Sequence, residues 1–245
     1  MVDRNIFVII QARANSSRLK EKVLLPLCQK SVLEIMIERL SHFKDNIIVA
    51  TTKNKEDDKI VSICKRVKVK YFRGDEEDVL KRYYEAAKAF DAKEGDIIVR
   101  VTADCPLIDQ NILKQALDLY SVYECDYVSN TIIRTYPRGL DVEVFGFETL
   151  KEAEKRALEK YEREHVTPWI IKNKKTVPLI DDEDNSHYRL TLDEEDDYLA
   201  IKELYEILNC KSDFNYKTLI RTLKLFPYIS AINQNVKQKE YEYSI

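Results

Sequence analysis

The segment Ile9-Ile-Gln-Ala-Arg-Ala-Asn-Ser-Ser-Arg-Leu-Lys-Glu-Lys22 gathers Arg13, Ser16, Ser17, Arg18 and Lys22 within ten residues, directly after the first apolar run of the chain. Three cationic side chains and two hydroxyls on a loop leaving a strand end suit a triphosphate, whose charges need neutralising and whose oxygens accept many hydrogen bonds. The chain has neither G-x-x-x-x-G-K-[ST] nor G-x-G-x-x-G, and no glycine precedes Gly74. Side chains, not bare glycine amides, must therefore make the contacts. The competing reading is a set of solvated surface charges, the usual fate of Lys and Arg. The interleaved serines and the position after the strand favour ligand contact.

Two carboxylates follow strand-like runs in the same way. Asp104 ends Ile97-Ile-Val-Arg-Val-Thr-Ala-Asp104, ahead of Pro106, and Asp193 ends Tyr188-Arg-Leu-Thr-Leu-Asp193. In an open sheet, ligands collect at the carboxyl ends of strands, and two such carboxylates can hold Mg²⁺ that keeps other positions for water and phosphate oxygens. Alternatively, each aspartate caps the helix that follows it. A further cluster, Arg134-Thr-Tyr-Pro-Arg138 with Asp141 and Glu143, could present guanidinium groups to a carboxylate. Glu162-Arg-Glu-His165 reads either as a recognition patch or as a salt-bridged helix face; no second histidine stands at metal-ligand spacing. Cys105 has no activating partner that the sequence can place and reads as a buried thiol.

The elements that must position these residues alternate through the first half. Apolar runs at 5–11, 46–51, 69–72, 96–102 and 126–130 read as strands. Between them lie helical stripes, the first opened by a Ser31/Glu34 capping box and the third by the acidic turn Asp75-Glu-Glu-Asp78. This alternation predicts an α/β fold, a mixed, mostly parallel sheet covered by helices on both faces. After Asn130 the rhythm breaks: a turn at 136–139, an alternating strand at 140–147 and a charged helix at 148–160 suggest an inserted arm near 131–147. A helical pattern resumes at 161–172, a strand is expected at 187–192, and a last long helix follows Asp193.

The 245 residues, 44% of them hydrophobic and without a Pro-, Gly- or Ser-rich linker, predict one domain over 1–245 with a C-terminal helical extension at 209–245. A net charge of −3 argues against general nucleic-acid binding. No apolar run approaches membrane-spanning length, and Asp3 before the short run 6–10 does not read as a signal peptide, so a soluble cytoplasmic protein is expected. The five cysteines are scattered and odd in number, which predicts neither a disulfide framework nor a zinc site.

Taken together, several blocks resemble the spore-coat polysaccharide (SpsF-type) cytidylyltransferases. They are the first loop with Lys22-Val-Leu-Leu-Pro26, Phe72-Arg-Gly-Asp-Glu-Glu-Asp-Val-Leu80 with Arg82-Tyr-Tyr84, Val101-Thr-Ala-Asp-Cys-Pro-Leu-Ile-Asp109 and Asp126-Tyr-Val-Ser-Asn130. Thr135-Tyr-Pro-Arg-Gly-Leu-Asp-Val-Glu-Val144, Tyr161-Glu-Arg-Glu-His-Val-Thr-Pro168 and Arg189-Leu-Thr-Leu-Asp193 continue the series to about residue 208. That family is similar to CMP-KDO and CMP-sialic acid synthetases, which implies a Rossmann-like nucleotidyltransferase fold, CTP as donor and Mg²⁺ as cofactor. It also implies an acidic acceptor, a 2-keto-3-deoxy sugar acid, and a homodimer formed through the arm.

The family's triphosphate loop maps onto Ala12, Arg13, Ser16, Arg18 and Lys22, beside Ser17, and its metal aspartates map onto Asp104 and Asp193. Arg73 joins the nucleotide-binding set. Arg134, Tyr136, Arg138, Asp141, Glu143 and Arg163 are the acceptor candidates, and Arg13, Arg18, Lys22 and Asp104 the catalytic ones. Relatives carry glycine near mid-loop and a Pro-Gly pair before the lysine, where this chain has Ala14-Asn15 and Lys20-Glu21. A nucleotide-sugar glycosyltransferase and a silent nucleotide-binding protein are the alternatives; the first usually needs an Asp-x-Asp pair, which Asp141-Val-Glu143 only imitates.

Overall fold

The computed structural model describes residues 4–238. In chain order the elements are β1 (Ile6–Gln11), β2 (Pro26–Leu27), β3 (Lys30–Ser31), α1 (Val32–Arg39), β4 (Ile47–Thr52), α2 (Asp58–Val67), β5 (Lys70–Gly74) and α3 (Val79–Ala89). There follow β6 (Ile97–Thr102), α4 (Gln110–Val122), β7 (Tyr127–Ser129), β8 (Glu143–Gly146), α5 (Phe147–Arg156), α6 (Lys160–His165) and α7 (Pro168–Asn173). β9 (Thr176–Pro178), α8 (Glu195–Ile207), α9 (Tyr216–Leu225) and α10 (Tyr228–Ile232) complete the series. The last part of the expected C-terminal extension, 239–245, and Asp3 lie outside the described residues.

Seven strands form one sheet in the order β5-β4-β1-β6-β8-β7-β9. β8 runs antiparallel to both β6 and β7, and the other pairings are parallel. The period of two in β1 explains the layers: Val8 and Ile10 face a core completed by α1, α2, α4, α8 and α9, while Phe7 and Ile9 face a second core under α3, α5 and α7. Burial on both faces is why β1 reads as a continuous apolar run. After β1 the chain crosses to β4 on one side and later to β6 on the other. The crevice outside the ends of β1 and β6 is therefore a topological switch point.

The five early strands and the Ser31/Glu34 capping box lie where the pattern put them. Three readings are corrected. The strand part of the expected arm is not an outward projection: β8 sits inside the sheet, with Val144 and Phe145 fully buried, because its alternation fits the gap between β6 and β7. Residues 187–192 form no strand but a single parallel bridge, Arg138 to Arg189. Gly139 takes φ +105 there, and a Cβ on it would stand 2.3 Å from the Leu190 carbonyl carbon, so only glycine permits this approach. Lastly, Cys28 and Cys210 form a disulfide across a separation of 182 residues. Cys28 lies on the β2–β3 turn and Cys210 just past α8; sequence spacing carries no signal for such a pairing.

Candidate active site

The cationic loop leaves β1 at Gln11 and is held without glycine. The Ala14 amide donates to Asp57 Oδ1 at 2.7 Å, while the other oxygen of this buried aspartate accepts from the Thr52 amide and hydroxyl at 3.0 and 2.5 Å. The Ala14 carbonyl in turn accepts from the Glu21 amide at 3.0 Å. Glu21 takes the left-handed conformation, φ 54, at the position where the resembling family has glycine. Its carboxylate turns away from the loop's cations to meet Lys59 at 2.7 Å. The altered loop thus keeps the turn, and the extra acid does not oppose Lys22.

The turn delivers Lys22 to both Asp104, just past β6, and Asp193, just before α8. Lys22 Nζ donates to Asp104 Oδ2 at 3.0 Å and to Asp193 Oδ1 at 2.9 Å. Asp104 Oδ1 accepts from Thr102 Oγ1 at 2.5 Å. Asp193 also meets Arg18 at 3.0 Å and Arg189 at 3.3 Å, and Arg189 is fixed by Asp197 at 2.8 Å. Neither aspartate caps a helix: Asp109 caps α4, and Glu194 with Asp197 forms the capping box of α8. Burial alone would raise the Asp104 carboxyl, but Lys22 and Thr102 outweigh it and hold the group down to about 2. Burial would likewise depress the Lys22 ammonium, yet Asp104 and Asp193 keep it above its ordinary value. The carboxylate and ammonium charges are thus secure at neutral pH. Cys105 is the reverse case, its thiol pushed well up by burial and by Asp104, so it remains an inert thiol.

A cavity of about 1060 Å³ opens over these groups. From the loop it is lined by Ala12, Arg13, Ser16, Ser17, Arg18 and Lys22; from the strand ends and beyond by Asp104, Asp193, Arg134, Arg138, Asp141 and Glu143. Arg134 and Asp141 hold each other through two bonds of 2.7 and 3.1 Å. Arg138 is half-buried, and burial and Arg134 both push its guanidinium down while Asp141 pulls it up. A cation so placed gains from an incoming anion.

Three expected residues are not brought to the cavity. Arg73 turns to the Thr52 and Asn54 carbonyls and to Asp58, tying β5 to the loop before α2. Tyr136 is buried against Tyr216. Arg163 clamps Asp78 at 2.6 Å and the Glu154 carbonyl, joining α6 to the start of α3. Each satisfies a half-buried cation or a buried ring within the scaffold, a role that motif position alone does not reveal. Conversely, Gln11 and Arg100 line the cavity without having been singled out, and His165, from the Glu162–His165 patch, lines it as well. Arg100 pairs with Glu143 at 2.6 Å, and this charged residue inside an otherwise apolar strand was the available signal.

A family model described as cytidylyltransferase matches residues 7–243. This chain belongs to the cytidylyltransferase family. The match runs past residue 208, so the family covers the C-terminal helices as well. The spore coat polysaccharide biosynthesis protein SpsF of Bacillus subtilis is 33% identical over 235 residues, 91% of this chain and 95% of that protein. A solved cytidylyltransferase from Leptospira borgpetersenii has a TM-score of 0.88 and 36% identity, covering 98% of this chain and all of that one. A CMP:2-keto-3-deoxy-manno-octonic acid synthetase complexed with CTP has a TM-score of 0.61 at 15% identity, over 83% of this chain and 99% of that one, which speaks to the fold. The chain therefore has the Rossmann-like nucleotidyltransferase fold, and it is a nucleotidyltransferase. Among its described residues no helix is long and apolar enough to cross a membrane.

Proposed function

We propose that the enzyme transfers CMP from CTP to an acidic, hydroxylated acceptor, a 2-keto-3-deoxy sugar acid, and releases pyrophosphate in surface-polysaccharide synthesis. The observation that carries this is the meeting of the cationic loop with Asp104 and Asp193 in one cavity, through Lys22. Support for the acceptor class comes from the CTP-bound synthetase that shares the fold and from Arg138, which faces the same cavity. Support for the pathway comes from the SpsF relative.

In this reading Arg13, Ser16, Arg18 and Lys22 neutralise and align the triphosphate. The acceptor hydroxyl oxygen bonds to the α-phosphorus, giving up its proton to solvent, as the bond to the bridging oxygen breaks, and the pyrophosphate leaves with the developing charge. Alignment and charge stabilisation are the protein's main contributions, with no protein nucleophile. The carboxylates of Asp104 and Asp193 both reach one cationic nitrogen, so they fit a shared hard cation, and we assign Mg²⁺ to them. Mg²⁺ would supply Lewis-acid stabilisation of phosphate oxygens. Arg138 and the Arg134–Asp141 pair would receive the acidic and hydroxyl groups of the acceptor. We further assign the enzyme to the cytoplasm and to a homodimer formed through the part of the 131–147 arm that lies outside the sheet.

The test incubates the protein with Mg²⁺, each of the four nucleoside triphosphates and a panel of acidic sugars, measuring pyrophosphate and nucleotide-linked product. CMP-linked product with CTP alone is the expected result. Turnover with another triphosphate, or nucleotide binding without turnover, would overturn the assignment. Light scattering of the purified protein checks the dimer.

A further inference from the structure

The Lys22 ammonium occupies the place where Asp104 and Asp193 converge, 3.0 and 2.9 Å from their oxygens. Its side chain is only 13% exposed, and that of Asp193 9%. Asp193 already faces three cations, Lys22, Arg18 and Arg189. These carboxylates are therefore neutralised from within the chain, and a divalent cation entering beside the ammonium meets like charge at close range in a poorly solvated site. Yet Lys22 belongs to the loop that lines the same cavity with Arg13 and Arg18. A lysine head on a flexible four-carbon stem can change partners by rotation alone, which a rigid guanidinium fork does less readily. A triphosphate offers it several charged oxygens in exchange for two carboxylates.

We infer that Lys22 is an exchangeable counter-ion: it holds Asp104 and Asp193 and keeps divalent metal off them until a polyphosphate draws the ammonium away, so that metal and nucleotide enter together. This rests on the reading of Asp104 and Asp193 as cation ligands and of the loop as a phosphate binder. Its consequence is ordered loading, since the carboxylates become free for metal only when an anion is present to receive Lys22. Metal affinity measured without nucleotide is then reduced by the fraction of molecules in which Lys22 has left the pair.

The deciding experiment measures Mn²⁺ binding by electron paramagnetic resonance of the free ion, with protein and metal alone. Wild type and Lys22→Arg, which keeps the charge, should bind weakly; Lys22→Gln should bind at least about tenfold tighter, the effect of an open state populated at about one part in ten. Wild type binding Mn²⁺ as tightly as Lys22→Gln would overturn the inference. A second measurement needs no neutral variant. In wild-type protein labelled with ¹⁵N at lysine Nζ and kept in EDTA, CTP should shift the Lys22 ammonium signal, which is assigned by its loss in Lys22→Arg. CTP that binds, seen by broadening of its ³¹P lines, and leaves that signal unmoved would overturn it as well. Failure of CTP to bind at all counts against the nucleotide assignment, and the Mn²⁺ arm still decides the role of Lys22.

Discussion

Lys22 and Asp193 are 171 residues apart in the chain and meet at 2.9 Å. That contact, with Asp104 on the other side of the ammonium, joins the loop after β1 to the segment before α8. Two further ties brace the same junction: Tyr198 Oη donates to the Pro26 carbonyl at 2.5 Å, and the disulfide links Cys28 to Cys210. The segments that carry Lys22 and Asp193 are thus braced by a covalent and hydrogen-bonded frame before any ligand arrives, which is what electrostatic preorganisation requires.

Removing one preorganised group from this constellation should cost turnover without unfolding the chain. Asp104→Asn and Arg18→Ala should each lower kcat by about 10²–10³. Steady-state pyrophosphate release, set beside circular dichroism of each variant, checks this. A folded Asp104→Asn enzyme with wild-type turnover would remove Asp104 from the reaction.

The Asp104 carboxyl, held down from 3.8 to about 2, links stability to acid. A depressed folded value means that the contribution is complete above the unfolded value and is lost as pH falls through the folded one. The stability difference between wild type and Asp104→Asn should therefore shrink by on the order of 2 kcal/mol between pH of about 4 and about 2. Urea denaturation of both proteins across that range measures it, and a difference independent of pH contradicts the pairing.

Reducing the Cys28–Cys210 bond opens a closure of 182 residues. Cross-links of this span restrict the unfolded chain, and losing one costs about 2–5 kcal/mol. The melting temperature should fall in dithiothreitol and in a Cys28→Ser/Cys210→Ser double variant, and dithiothreitol should have no further effect on that variant. Equal melting temperatures with and without reductant would show that the bond adds nothing to stability.

Glu21 adopts φ 54, a conformation that costs a side-chain-bearing residue about 1–2 kcal/mol. Its ion pair with Lys59 is largely solvated and offsets little of that. Glu21→Gly should raise stability by about 0.5–1 kcal/mol, the greater freedom of glycine in the unfolded chain taking back the rest. Chemical denaturation checks the sign, and a loss of stability would mean that the Lys59 pair matters more than its exposure implies.

The sequence by itself determined the α/β alternation, because strands buried on both faces must be short continuous apolar runs and the helices between them must be amphipathic. It also determined the cationic loop and Asp104, since residues just past buried strands fall at the carboxyl edge of the sheet wherever those strands lie; Asp193 follows no strand and reaches the same place only through the tertiary fold. Only the tertiary structure decided which side chains share the cavity. Arg73 and Arg163 have the same residue type as Arg18, yet they turn to Asp58 and Asp78 within the scaffold, while Arg100, hidden in a strand, joins Glu143 in the cavity wall. The Cys28–Cys210 bond and the insertion of β8 between β6 and β7 were decided the same way. Periodicity reports which face a residue takes along its own element, whereas partnership across 182 residues depends on how elements stack, and no local pattern encodes that distance.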